Sequence, residues 1–239
     1  MIFRQLFDQE TWTYTYLLAD ADSREAVLID SVQEQAERDL RLLQELGLTL
    51  KYLLETHVHA DHITGVTRLK AAFPAAQSLV SEHSGADCAD RLLQDGDRIQ
   101  VGGFELQVLA TPGHTNGCVS YYTPGKVFTG DTLLIRGCGR TDFQEGDAGQ
   151  LYDSVTQKLF SLPAETLVYP AHNYVGLTVS SIAEEKQHNL RLAHKSRAEF
   201  IQLMSELNLP QPKKIMESVP ANLKCGNLAA LGHPGGHEA

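Results

Sequence analysis

Apolar and polar positions change rhythm along this chain, and the change separates strands from helices. Residues 13–19 alternate and are rich in β-formers, residues 26–30 form a short apolar run, and the polar stretch 20–23 predicts a turn joining two strands. The period then lengthens. Over 32–46 the residues Ala36, Leu40, Leu43 and Leu46 recur at helical spacing, and Gly47 supplies a C-terminal stop. Residues 50–54 predict a buried strand that runs straight into the histidine-rich segment 56–62, with another helix beginning near it. A short strand is expected at 79–81. Gly102-Gly103 and Pro124-Gly125 each lie between two β-rich runs and predict hairpins over 99–109 and 118–128. The helical period returns over 151–159, 179–192 and 197–207, with a strand at 166–169, and the Gly-, His- and Pro-rich tail from Gly226 is expected to be poorly ordered.

Two similar runs thus follow each other, β-rich then helical, with no linker-like composition between them. One domain over 1–239 is expected, with C-terminal helices from about residue 178. Two sheets packed face to face with helices outside account for this order, and so does a doubly wound sheet. The 239 residues are 42% hydrophobic, enough for one large core. Thirty acidic against 20 basic residues give a formal charge of −10, which argues against a nucleic-acid partner. No apolar run approaches the roughly 20 residues that span a bilayer, and the first residues alternate charge with apolar side chains instead of building a signal-peptide core. No membrane partner and a cytoplasmic location are therefore expected, an organelle-targeting segment removed beforehand aside. Cys88, Cys118, Cys138 and Cys225 lack zinc-site or disulfide-framework spacing and are expected as reduced thiols.

The chemistry concentrates in four places. His57, His59, Asp61 and His62 form an H-x-H-x-D-H run, whose imidazole and carboxylate donors suit zinc or iron. Three more strings each follow an expected strand: Thr111-Pro112-Gly113-His114-Thr115, Thr129-Gly130-Asp131-Thr132 and Pro170-Ala171-His172-Asn173. A lone histidine is more often a hydrogen-bonded surface residue than a ligand, and Pro-Gly or Gly-Asp is commonly a turn. Four donors within six positions resist that explanation, and the shared placement after strands points to one rim.

In this order and spacing, THVHADH, TPGHT, TGDT and PAHN resemble the metallo-β-lactamase superfamily over essentially the whole chain. The resemblance implies an α/β fold, a four-layer αββα sandwich with the metal cleft at one edge between the sheets. It also leaves open a dinuclear arrangement, as in zinc glyoxalase II-like hydrolases of glutathione thioesters. There His57, His59 and His114 would hold one ion, Asp61, His62 and His172 the other, and Asp131 would bridge.

A narrower resemblance is carried by IRGCGRTDFQ at 135–144, by Glu55-Thr56-His57 through Ile63-Thr64-Gly65, and by VPANLKCG at 219–226. These are similar to the persulfide dioxygenases, the ETHE1-like sulfur dioxygenases. That family implies one Fe(II) per chain held by His57, His114 and Asp131. Three protein ligands leave about three positions of an octahedral ion open for a sulfur substrate and dioxygen together, and zinc lacks the redox chemistry. His59, Asp61, His62, His172 and Tyr174 then orient ligands, hold water or manage protons. The reaction implied is oxidation of glutathione persulfide by dioxygen and water to glutathione and sulfite, a step of hydrogen sulfide metabolism. Arg136 and Arg140 are the candidates for contacting the carboxylates of glutathione, although in a compact loop either could instead brace the chain through Asp142 or a carbonyl. Asn173 departs from the aspartate that many of these enzymes carry after the histidine, which removes a charge. The C-terminal helices offer a candidate homodimer surface.

Overall fold

The computed structural model of the chain describes residues 1–231. The first half folds into a sheet whose spatial order follows the chain: β1 (Ile2–Asp8), β2 (Thr13–Ala19), β3 (Glu25–Ile29), β4 (Thr49–Leu54), β5 (Gln77–Ser81) and β6 (Arg91–Leu93). The β1–β2 and β2–β3 pairs are antiparallel, and from β3 onward the strands are parallel. Parallel neighbours need crossovers, and α1 (Ala36–Glu45) and α2 (Val66–Ala72) supply two of them. At the end of α1, Gly47 takes φ of +60° with open space around its missing Cβ, so backbone conformation and not packing selects glycine there.

The second half builds the facing sheet from β7 (Arg98–Val101), β8 (Phe104–Ala110), β9 (Val119–Thr123), β10 (Lys126–Gly130), β11 (Leu167–Pro170) and β12 (Ser180–Ser181). Only β10 and β11 pair in parallel. Their connection carries α3 (Ala148–Asp153), which continues through a π turn and a 3-10 turn to Ser161. α4 (Ile182–His188) and α5 (Arg197–Ser205) join α3 over the outer face, where Val127 and Val168 pack on Leu151, Ile182 and Phe200.

Between the sheets lies an apolar layer centred on aromatic rings. Tyr16 of β2 and Phe128 of β10 stand 5.0 Å apart, and Phe128 stacks on Tyr169 at 5.5 Å. The Tyr16 hydroxyl escapes an unpaired burial by donating to Pro170 O at 2.6 Å. Because helices cover the outer faces, β2 is buried at every position, which removes the in-out alternation of a half-exposed strand. This is the expected αββα sandwich, and the doubly wound alternative falls away.

Several local expectations are corrected. The opening residues form edge strand β1, whose half-exposed pattern reads weakly in sequence. The helix expected over 179–192 is shorter, because Ser180 and Ser181 pair with β11 and Ser181 then caps α4 by accepting from Glu184 N. α6 (Ile215–Asn222) was not expected at all, since Pro220 lies inside it. The greater part of the tail lies outside the described residues, and Gly226 itself is buried. Cys88 and Cys225 are joined in a disulfide across 137 residues, with Cα atoms 6.0 Å apart, while Cys118 and Cys138 are free and buried. Reduced thiols thus hold for two of the four. The pairing escapes spacing rules because the fold, not the local sequence, brings α6 back to the loop before β6.

Candidate metal centre

The four strings emerge from the carboxyl ends of β4, β8, β10 and β11 and meet at one rim of the sandwich. The sheets are also fastened there, since Tyr14 N donates to Ala171 O at 2.7 Å and Thr13 bridges His172. Close approach explains two glycines. A Cβ on Gly130, at φ +54°, would stand 2.6 Å from Thr56 Oγ1, and one on Gly139 would stand 2.7 Å from His114 Nδ1.

His57, His114 and Asp131 form one cluster with donor atoms within 4.8 Å of one another, and His59, Asp61, His62 and His172 form a second. Hydrogen bonds decide which atoms remain available. Thr56 Oγ1 donates its single proton to Asp30 Oδ2 at 2.8 Å and lies 3.0 Å from His57 Nδ1. His57 Nδ1–H must therefore donate to Thr56, which leaves the Nε2 lone pair free. His114 Nδ1–H donates to Arg140 O at 2.7 Å, and His114 Nε2 faces Asp131 Oδ2 at 3.7 Å. Asp131 Oδ1 accepts from His172 Nδ1 at 2.7 Å. Two imidazole nitrogens and one carboxylate oxygen thus converge with their protons elsewhere, as a divalent metal requires. Burial, together with the neighbouring His59 and His114, holds His57 well below the ordinary histidine pKa, in the neutral form a ligand needs.

The second cluster is organised differently. His172 Nε2 lies 3.0 Å from Asp61 Oδ2, so both ring nitrogens of His172 face carboxylates. Burial disfavours its charge, but Asp131 and Asp61 outweigh burial and raise it well above the usual range. His172 thus meets one carboxylate at each ring nitrogen. His62 Nδ1 lies 2.9 Å from the same Asp61 oxygen, and His62 Nε2 is buried without a partner. Burial likewise opposes charge on Asp61, yet His172 and His62 pull its pKa well down. His59 divides its nitrogens: Nδ1 is buried without a partner, while Nε2 lies 3.1 Å from Asp30 and 3.4 Å from Glu55, and despite burial these carboxylates push it up to about 10. Tyr174 stacks flat on His172 at 6.1 Å and is 60% exposed.

The arginines lie apart from both clusters. Arg136 pairs with Glu184 and, at 2.6 Å, with the fully buried Glu185, whose other oxygen accepts from Arg136 N at 2.9 Å. Arg140 grips Asp142 in a fork at 2.6 and 2.7 Å, donates to Pro210 O, and lies over the Phe143 ring at 4.4 Å. Among the described residues neither guanidinium bonds a cluster residue; both brace the loop that follows Asp131. Beside the rim opens a cavity of about 310 Å³, with Val58 and Thr115, the neighbours of His57 and His114, in its wall.

Asp30, Thr13 and Asn222 were missed in the sequence. Asp30, 1% exposed at the end of an apolar strand, accepts from both Thr56 N and Thr56 Oγ1. A carboxylate closing a buried run is costly without partners, and that was the available signal. Thr13 Oγ1 lies 3.1 Å from His172 Nε2. Asn222 Nδ2 donates to His59 O and His62 O, each at 2.8 Å, and its Oδ1 accepts from Thr64 N.

Residues 13–172 match the model of the metallo-beta-lactamase superfamily. The chain is 54% identical to the mitochondrial persulfide dioxygenase ETHE1 of Bos taurus, over 95% of this chain and 89% of that protein, and the match to the Mus musculus protein has the same identity and coverage. The crystal structure of ETHE1 from Myxococcus xanthus superposes with a TM-score of 0.93 at 58% identity, covering 95% of this chain and all of that one.

Proposed function

This chain belongs to the metallo-β-lactamase superfamily and, within it, to the persulfide dioxygenases, and we propose that it oxidises glutathione persulfide with dioxygen and water to glutathione and sulfite. His57, His114 and Asp131 would hold one Fe(II), a two-histidine, one-carboxylate set suited to that ion. Iron bound there would supply the redox chemistry that oxidation of a sulfur substrate by dioxygen requires. The observation that carries this reading is the 54% identity to persulfide dioxygenase over 95% of the chain, alongside the convergence of His57, His114 and Asp131.

The remaining chemistry belongs to the chain's own side chains. Thr56 and the Arg140 carbonyl fix the tautomers of His57 and His114. His172 holds one oxygen of Asp131, which leaves Oδ2 directed at the cluster, and it keeps a proton at the rim on a path through Asp61. The glutathione portion occupies the adjacent cavity, whose volume lies at the lower end of the range for small-molecule sites. Arg136 and Arg140 shape the 134–142 loop and remain the cationic groups proposed to meet the carboxylates of glutathione.

No helix among the described residues is long and apolar enough to cross a membrane. We propose the cytoplasm as its compartment, a milieu in which a ferrous site and a thiol product persist and small thiols can reach Cys88–Cys225. Leu190 and Met216, strongly exposed in the C-terminal region, support a homodimer. A dinuclear hydrolase is favoured by the unpartnered His59 Nδ1 and His62 Nε2 in the cluster with Asp61. One iron per chain, sulfite formed in step with oxygen uptake, and loss of both on His57→Ala or Asp131→Ala are expected. Two zinc ions per chain and thioester hydrolysis without oxygen uptake would overturn the proposal.

A further inference from the structure

The Cys88–Cys225 bond joins two segments that share a wall of the cavity beside the metal cluster. Ser84 and Gly85 stand on one side of that wall, Val219 and Leu223 on the other. The two sulfurs differ in setting. Cys88 is exposed, whereas Cys225 is half-buried against the α1–α2 apolar cluster and lines a cleft shared with His57 and His59. Around Cys225 the chain is fastened to the ligand loop independently of the bridge: Thr67 Oγ1 donates to Cys225 O at 2.7 Å, and Asn222 bonds the backbone of His59, His62 and Thr64. The Cys88 side has a weaker attachment to the same segment, an exposed pair between Asp87 and Lys224 at 3.1 Å. Ser84 N still donates to Ser81 O at 3.0 Å, so breaking the sulfur bond uncouples the Ser84–Gly85 wall from the Val219–Leu223 wall while leaving both the end of β5 and the ligand loop held.

We propose that Cys88–Cys225 is a thiol-exchange site through which a low-molecular-weight thiol opens this cavity wall. The incoming thiolate forms a bond to the exposed Cys88 sulfur, the bridge breaks, and Cys225 leaves as a thiolate that takes a proton from water. A second thiolate attacks the mixed disulfide, departs as the low-molecular-weight disulfide, and leaves Cys88 as a thiol. The protein gains two electrons and each small thiol gives up one. On the persulfide dioxygenase reading, on which this clause rests, the released glutathione is itself such a thiol, so product accumulation loosens the cavity that holds it. His57, His114 and Asp131 follow strands the bridge does not touch, so opening affects binding more than turnover.

The test equilibrates the full-length, iron-loaded protein in graded mixtures of glutathione and its disulfide, alkylates with N-ethylmaleimide, and weighs it intact. Cys88 and Cys225 take up label together, and Cys225→Ser accumulates one glutathione on Cys88. S-methylglutathione, which cannot reduce the bridge, binds about three- to tenfold more weakly to the opened form and to Cys88→Ser, the size expected when a preorganised wall is lost, while kcat stays within about twofold. The reduced wild-type protein gives the same comparison without any substitution. A bridge that excess glutathione leaves intact, or one analogue Kd for both forms, overturns the proposal. Absent oxygen uptake alongside normal labelling instead sinks the enzymatic reading and leaves the exchange site standing.

Discussion

Replacing Thr56 with valine keeps the shape of the side chain and removes one hydroxyl. That hydroxyl accepts from His57 Nδ1 and donates to Asp30 Oδ2, at 3.0 and 2.8 Å, and Thr56 and Asp30 are each 1% exposed. Water cannot take its place in so closed a setting, so valine strands a donor on His57 and an acceptor on Asp30. Each orphaned buried group costs about 1–3 kcal/mol, and Asp30 retains its bond from Thr56 N, so a total of about 2–4 kcal/mol is expected. For a chain of this length that lowers the melting temperature of the metal-free form by about 5–15 °C. A second effect is separable from the first. Without Thr56 the His57 proton is no longer pinned to Nδ1, and iron affinity, read by chelator competition, falls about 10–100-fold. With iron saturating, kcat for oxygen uptake returns most of the way to wild type, because all three ligands remain. Thr56→Ser restores both stability and affinity. Unchanged iron affinity in Thr56→Val, with the melting temperature lowered, would refute the tautomer argument and reduce Thr56 to a packing role.

Three further outcomes follow from the same geometry. Metal-free stability has a window set by shifts of opposite sign. Asp131 and Asp61 are depressed by histidines, so their contribution is present above the ordinary carboxylate pKa and is lost as pH falls below about 5. His59 is raised to about 10, so its contribution is full below about 6.5 and drains away as pH climbs toward its folded value. Denaturant midpoints of the metal-free protein should therefore peak between those limits, and a flat profile counts against the ion-pair assignments. Arg136→Ala leaves Glu185 buried with its charge poorly compensated and should cost about 3–5 kcal/mol in urea unfolding, with Glu185→Gln recovering part of it in the double variant. Gly139→Ala drives a Cβ to 2.7 Å from His114 Nδ1 and 2.6 Å from Asp131 O, so the purified variant should hold clearly less iron than wild type by elemental analysis.

What the sequence made legible was whatever depends on local rhythm or dense chemistry. β2 through β5 announced themselves because buried strands need unbroken apolar or β-branched runs, and the H-x-H-x-D-H run has few other uses. The illegible features need partners from elsewhere in the chain. The pairing of Arg136 was hidden because its partners, Glu184 and Glu185, lie nearly fifty residues away on α4. α6 was hidden by Pro220, and the disulfide by the long loop it closes. The Asp30–Thr56–His57 relay joins β3 to the end of β4, a contact that parallel pairing creates and residue order alone does not show.

The aromatic layer between the sheets sets a dimension. His57 follows a strand of one sheet, whereas His114 and Asp131 follow strands of the other, so the distance across the ligand set is the intersheet gap measured at its rim. Tyr16, Phe128 and Tyr169 act as the spacer that fixes that gap, and Tyr16 also anchors to Pro170, two residues before His172. The tolerance of the metal site is thereby inherited from ring thickness in the interior, and a smaller side chain at Phe128 would recalibrate the cluster without touching any residue in it.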